Sequence, residues 1–140
     1  MIVLDTNVVS ELMNPVCNPV VEEWLDAQAA ETLYLTSTSL SELLLGIELM
    51  PAGKRQERLR VILDDIVERL LDRRILSFDE LAAECYSKLI ARARRRGRAI
   101  SILDGQIAAV AESHGFTVAT RDTSPFEAAG VAFVNPWDSR

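Results

Sequence analysis

The chain has 140 residues, 49% of them hydrophobic and 26% charged, with a net charge of −6. This length predicts a single domain over residues 1–140 around one core, and the composition excludes disordered and fibrous classes. The acidic balance argues against a protein that coats nucleic acid, but the charge is uneven: Lys88, Arg92, Arg94, Arg95, Arg96 and Arg98 stand together without an acid, leaving nine cations against 21 acids elsewhere.

Ile2-Val3-Leu4 is a short apolar run that stops at Asp5-Thr6-Asn7, which predicts a buried strand entering a helix-capping turn and a brief helix. Pro15 and Pro19 bracket a break, after which Val20, Val21, Trp24 and Leu25 mark the apolar stripe of a second helix. Leu33 to Thr36 is the next predicted strand. Helical periodicity runs from Leu40 to Met50, stops at Pro51-Ala52-Gly53 and resumes from Gln56 to Leu71, as in a helical hairpin. Ile75 to Phe78 predicts a third strand, followed by a helix from Asp79 to Arg96 that ends at Gly97 with its arginines at the negative end of the helix dipole. A helix from Ile102 to Ser113 should stop near Gly115, and the strands Thr117–Thr120 and Val131–Val134 flank a helical turn from Pro125 to Ala129. Strands alternating with helices predict an α/β fold with a mainly parallel sheet.

The apolar runs fall far short of the roughly 18 residues of a membrane span, and Asp5 interrupts the beginning of the chain too early for a signal peptide, so a cytoplasmic protein without a membrane partner is expected. Cys17 and Cys85 have neither disulfide-framework nor zinc-site spacing. The single histidine, His114, stands at a predicted helix end and leaves no basis for a nucleophile–histidine pair. Gly46 and Gly53-Lys54 miss the phosphate-loop spacing, with Arg55 where Ser or Thr belongs, and Asn7 stands where a haloacid-dehalogenase phosphatase needs a second aspartate.

In an open parallel sheet the active site lies outside the carboxyl ends of the strands, and four acids fall there: Asp5, Glu42, Asp104 and Asp122. Each also has a purely structural explanation. Ser39-Leu40-Ser41-Glu42 and Ser101-Ile102-Leu103-Asp104 fit the capping box, and Asp5 and Asp122 suit turns. Four carboxylates on one rim, however, stay ionised together only with a cation among them. Oxygen ligands without His or Cys select Mg²⁺ or Mn²⁺, and such a site suits phosphodiester hydrolysis by an activated water.

Met1-Ile2-Val3-Leu4-Asp5-Thr6-Asn7-Val8-Val9-Ser10, Ser41-Glu42-Leu43, Asp104-Gly105-Gln106-Ile107-Ala108-Ala109, Ala119-Thr120-Arg121-Asp122 and the closing Asn135-Pro136-Trp137 together resemble the PIN-domain ribonucleases, and more closely the VapC toxins of the FitB-like group. The resemblance implies a three-layer α/β/α sandwich carrying the acidic pocket of a Mg²⁺- or Mn²⁺-dependent RNA endonuclease. It assigns catalysis and metal binding to Asp5, Glu42, Asp104 and Asp122, and supporting positions to Asn7 and Thr120. Where many relatives have an aspartate before the phenylalanine corresponding to Phe126, this chain has Pro125. The resemblance further implies a homodimer held inactive by a cognate antitoxin, in a higher assembly with it. The alternatives are a housekeeping PIN nuclease without an antitoxin, and a catalytically silent module that binds RNA or protein. The cations Arg92, Arg94, Arg95, Arg96 and Arg98 are either RNA-backbone contacts or a solvated helix face. Trp24, Tyr86, Phe126 and Trp137 are either base-stacking or packing residues.

Overall fold

A computed structural model describes residues 1–138. Five strands, β1 (Ile2–Leu4), β2 (Leu33–Thr36), β3 (Ile75–Leu76), β4 (Thr117–Ala119) and β5 (Phe133–Val134), form one sheet in the order β3-β2-β1-β4-β5. Every pairing is parallel, with Leu4 opposite both Leu35 and Ala119. The helices are α1 (Thr6–Met13), α2 (Pro19–Asp26), α3 (Ser37–Glu48), α4 (Lys54–Asp65), α5 (Glu80–Arg95), α6 (Ile102–His114) and α7 (Ser124–Ala129). None is long and apolar enough to cross a membrane.

The two-residue period of the strands divides the core between the two faces of the sheet. Leu4, Leu33, Leu35 and Ala119 pack with Val8, Leu43, Ile47 and Leu63 of α1, α3 and α4. Val3 and Val118 point the other way, against Leu89 and Ile90 of α5, Ile107 and Ala108 of α6, and Phe126 of α7. Both faces are therefore covered, which is the three-layer sandwich that the resemblance implies and the reason these strands read as continuous apolar runs.

On the second face α5 and α6 approach closely at Gly105. A Cβ there would lie 2.8 Å from the Tyr86 ring and 3.0 Å from the Ile90 methyl, so a larger residue would push the helices apart. Gly105 follows Asp104 directly, and this packing fixes where the amino end of α6 meets the sheet rim. Tyr86 also meets Phe78 edge-on, with ring centroids 5.9 Å apart.

The structure departs from the sequence expectation in several places, among them the strand expected over Val131–Val134, which covers only Phe133–Val134. The strand predicted over Ile75–Phe78 ends at Leu76, and Phe78 turns into the packing around Tyr86. Helix α3 begins at Ser37, three residues early, because Thr36 ends β2 and caps the helix at once through its hydroxyl to the Ser39 amide at 3.0 Å. The helical stretch toward Leu71 loosens into a π turn over Ile66–Leu70, and two non-glycine residues in left-handed conformation, Asp72 (φ 43°) and Arg73 (φ 55°), reverse the chain into β3.

Candidate active site

Because β2, β1 and β4 are adjacent and parallel, their carboxyl ends open on one rim. A cleft of ≈ 380 Å³ lies there, lined by Asp5, Thr6, Asn7, Ser10, Glu11, Asn14, Glu42, Asp104, Arg121, Asp122 and Trp137. All four acids singled out from the sequence line it, although they are up to 117 positions apart in a chain of 140.

Asp5 forms the floor. It is 5% exposed and leaves the central strand with its own amide donating to the Ala119 carbonyl at 2.9 Å. One carboxylate oxygen accepts from the Thr6 amide at 2.8 Å, so Asp5 is also the N-cap of α1. The other accepts from the Thr120 hydroxyl at 2.8 Å and from the Asn7 amide nitrogen at 3.4 Å. The structural and site readings of Asp5 are thus compatible: the cap bond uses one oxygen and fixes the direction of the other.

Asn7 and Thr120 knit the floor together. Asn7 donates to the Thr120 hydroxyl oxygen at 3.2 Å and accepts from the Arg121 amide at 3.2 Å, while the Asp122 amide donates to Thr120 Oγ1 at 3.1 Å. The loop after β4 is thereby tied to the loop after β1, and Asp122 is carried to the wall of the cleft.

Glu42 does not serve as the capping-box acid that its spacing from Ser39 suggests. With Thr36 as the cap, Ser39 falls inside the first turn, and Glu42 Oε1 instead accepts from the Thr6 hydroxyl at 2.9 Å. Asp104 keeps half of its predicted box: Ser101 caps α6 through the Asp104 amide at 3.1 Å, but among the described residues the reciprocal bond from the Ser101 amide is not made. Its carboxylate remains available to the cleft. Thr6, which donates its amide to one acid and its hydroxyl to another, went unnoticed in the sequence because a helix-starting threonine is unremarkable; its position directly after Asp5 was the available signal.

Burial pushes the Asp5 carboxyl up to about 6, against the lowering effect of the Thr120 hydroxyl and the Thr6 amide and with further raising from the charges of Asp104 and Glu42. Among the described residues none of the four acids takes part in an ion pair. The donor set fits a hard divalent cation, being all oxygen and anionic. No three of the described acids stand close enough to enclose an ion by themselves. That spacing fits a hydrated ion, since Mg²⁺ holds several waters and takes only one or two carboxylates directly.

The basic strip divides. Arg92 donates to the Ala129 carbonyl and lies 3.6 Å from Glu112, Arg96 donates to the Ala128 carbonyl at 2.7 Å, and Arg98 reaches the Ser124 hydroxyl at 3.3 Å. These three hold α7, whose closing Gly130 is left-handed (φ +71°) with the Arg92 guanidinium against it. Arg94 and Arg95 are exposed and make no hydrogen bond or ion pair among the described residues. Of the aromatic candidates, Phe126 is fully buried and Tyr86 and Trp24 pack into the cores. Trp137 alone reaches the cleft.

The chain is similar to known proteins. The PIN domain family model matches residues 2–131. The VapC ribonuclease Y4jK of Sinorhizobium fredii is 50% identical over 99% of this chain and 99% of its own length. The toxin FitB of Neisseria gonorrhoeae is 44% identical, covering 98% of this chain and 99% of its own. A solved structure of FitAB bound to an IR36 DNA fragment contains a chain that superposes with a TM-score of 0.91 at 43% identity, over 98% of this chain and 96% of that one.

Proposed function

This chain belongs to the PIN-domain family, and from that premise we propose that it is a Mg²⁺- or Mn²⁺-dependent endoribonuclease acting as the toxin of a toxin–antitoxin pair. The observation that carries the reading is the cleft at the carboxyl edge of the sheet, where Asp5, Glu42, Asp104 and Asp122 line one wall with no cation paired to them. A relative of half-identical sequence bears the name ribonuclease, another the name toxin, and the toxin FitB is matched along nearly its full length.

Asp5, Glu42, Asp104 and Asp122 are the residues that would hold a divalent ion, directly or through its waters, and such an ion would supply a water of lowered pKa and charge stabilisation at the phosphoryl oxygens. The chain's own groups prepare the site for it. Thr120 and the Thr6 amide orient the two oxygens of Asp5, and the Thr6 hydroxyl holds Glu42 toward the cleft. Asp104 and Asp122 complete the acidic wall from the start of α6 and the loop after β4. Asn7 keeps the two loops in register through Thr120 and Arg121. Antitoxin control fits the relatives' names, and a homodimer fits the exposed apolar side chains Leu44 and Leu45 on α3 and Leu49 just after it. Exposed Arg94 and Arg95 are the arginines of the basic strip left for RNA phosphates.

The test is direct. The purified protein is incubated with defined RNAs in Mg²⁺, in Mn²⁺ and in chelator, and the cleavage ends are mapped. Internal cuts that require the metal are expected; no cutting in either metal would sink the nuclease reading.

A further inference from the structure

Arg121 stands among acids without pairing to any of them. It lines the cleft together with Asp5, Glu11, Glu42, Asp104 and Asp122, yet among the described residues its guanidinium makes no ion pair and no hydrogen bond. Its backbone amide is anchored on Asn7 at 3.2 Å. Its guanidinium lies 5.3 Å from the centroid of the Trp137 ring. Trp137 is half-buried, its own amide held by Asn135 at 3.0 Å and its ring packed on the core beneath α1 and α2. The indole is thus held by its packing and by Asn135, and the guanidinium lies over it at cation–π distance.

This arrangement separates two uses of an arginine. Stacking engages the flat face of the guanidinium and leaves the N–H donors along its edge free. Those donors match the paired oxygens of a phosphodiester, and arginine is the side chain that takes such oxygens two at a time. A cation whose only purpose was to neutralise the acidic cleft would lie against a carboxylate; this one is held off them, on the rim, with its donors unspent.

We infer that Arg121, backed by Trp137, grips a phosphate of the RNA backbone beside the bond that the acidic cleft cuts. The inference rests on the ribonuclease reading above and adds a substrate-binding residue and a positioning residue to it. Trp137 acts through Arg121 and needs no contact with RNA. The basic strip on α5 gives affinity away from the cleft, whereas Arg121 sets the register of the strand at the cleft.

The experiment compares wild type with Arg121→Gln, Arg121→Lys, Trp137→Leu and Trp137→Phe. Binding of a fluorescent single-stranded RNA is followed by anisotropy in chelator over a range of salt, and KM for its cleavage is measured in Mg²⁺. Arg121→Gln should weaken binding and raise KM by about tenfold, the size of one charge-assisted contact, and should flatten the plot of log affinity against log salt by about 0.7. Arg121→Lys should restore the salt slope but not the full affinity. Trp137→Leu should weaken binding several-fold with the slope unchanged, because the charge remains and only its placement is lost, and Trp137→Phe should recover much of that loss. Melting temperatures identify any variant that acts through folding, and exposed Arg121 should leave melting unchanged. Wild-type affinity, slope and KM in Arg121→Gln would overturn the inference while leaving the nuclease reading intact. A wild-type protein that neither binds nor cuts RNA would overturn both.

Discussion

The acidic cleft and the basic strip are the two concentrations of charge in this molecule, and they are built in opposite ways. The acids come from four separate places in the sequence and are brought together by strand order, whereas the cations are contiguous and are brought together by nothing more than one helix end. In the cleft, carboxylates converge with no cation paired to them among the described residues, and burial pushes Asp5 up to about 6. In the strip, Arg92, Arg96 and Arg98 are committed to the carbonyls and hydroxyl of α7. Convergence that costs the fold something marks the functional region; a run of like charge along a helix is largely absorbed by local structure.

The largest test of this contrast is Asp104→Asn. The amide keeps the shape and removes the charge, and with it several kcal/mol of metal-assisted stabilisation, so RNA cleavage should fall by about a thousandfold. Asp104 only half completes its capping box, so the melting temperature should barely move. Cleavage near the wild-type rate would return Asp104 to a purely structural role. Thr6→Val comes next: losing the hydroxyl that holds Glu42 at 2.9 Å should cost about tenfold in cleavage, as loss of an orienting partner typically does. Thr6→Ser, which restores the hydroxyl, should restore the rate; failure of that rescue would remove Thr6 from the site.

The strip can be split in the same manner. Replacing Arg94 and Arg95 together by glutamine should flatten the salt dependence of RNA binding by about 1.4, at roughly 0.7 per phosphate contact, and leave melting unchanged. Arg92→Gln should do the reverse, lowering the melting temperature by a few degrees through the orphaned carbonyl of Ala129 while leaving the salt slope alone. Equal behaviour of the two variants would erase the distinction between a capping arginine and a free one.

Much of this was legible in the sequence for reasons that can be named. The apolar runs at Ile2–Leu4, Leu33–Thr36 and Thr117–Ala119 are covered on both faces, so they could only be central parallel strands. Gly97 and Gly115, at φ 71° and 70°, stop α5 and α6 where the composition indicates. Asp5 and Asp122 on the carboxyl edge follow from strand polarity, and Glu42 and Asp104 from the starts of helices that meet that edge. The start of α3 was not legible, because Thr36 serves both as the last strand residue and as the cap, which leaves no loop to announce the helix. Nor was Arg121: its neighbours Thr120 and Asp122 had recognisable roles, while its partner Trp137 is 16 positions away and meets it only through the fold.

The smallest expected effect bears most directly on whether the cleft is built against stability. A carboxyl held up to about 6 in the folded chain binds a proton more tightly than it does unfolded, so between its ordinary range and about pH 6 the folded state carries the extra proton and stability falls as pH rises. Above about pH 6 the penalty is fully present, about 3 kcal/mol. Asp5→Asn removes the charge but gives up part of the bonding to Thr6 and Thr120, so in chelator at pH 7.5 it should melt a few degrees above wild type, with the gain shrinking as the pH approaches 4. Mg²⁺ should narrow the gap. With a dissociation constant of about 1 mM, about 10 mM Mg²⁺ adds roughly 1.4 kcal/mol to the wild type, and the variant, lacking the charge, should gain less. Four melts decide it, two proteins each with chelator and with Mg²⁺. A variant that melts lower in chelator, with equal gains from Mg²⁺ in both proteins, would mean that Asp5 serves the fold as a cap and that the acidic wall does not share a cation.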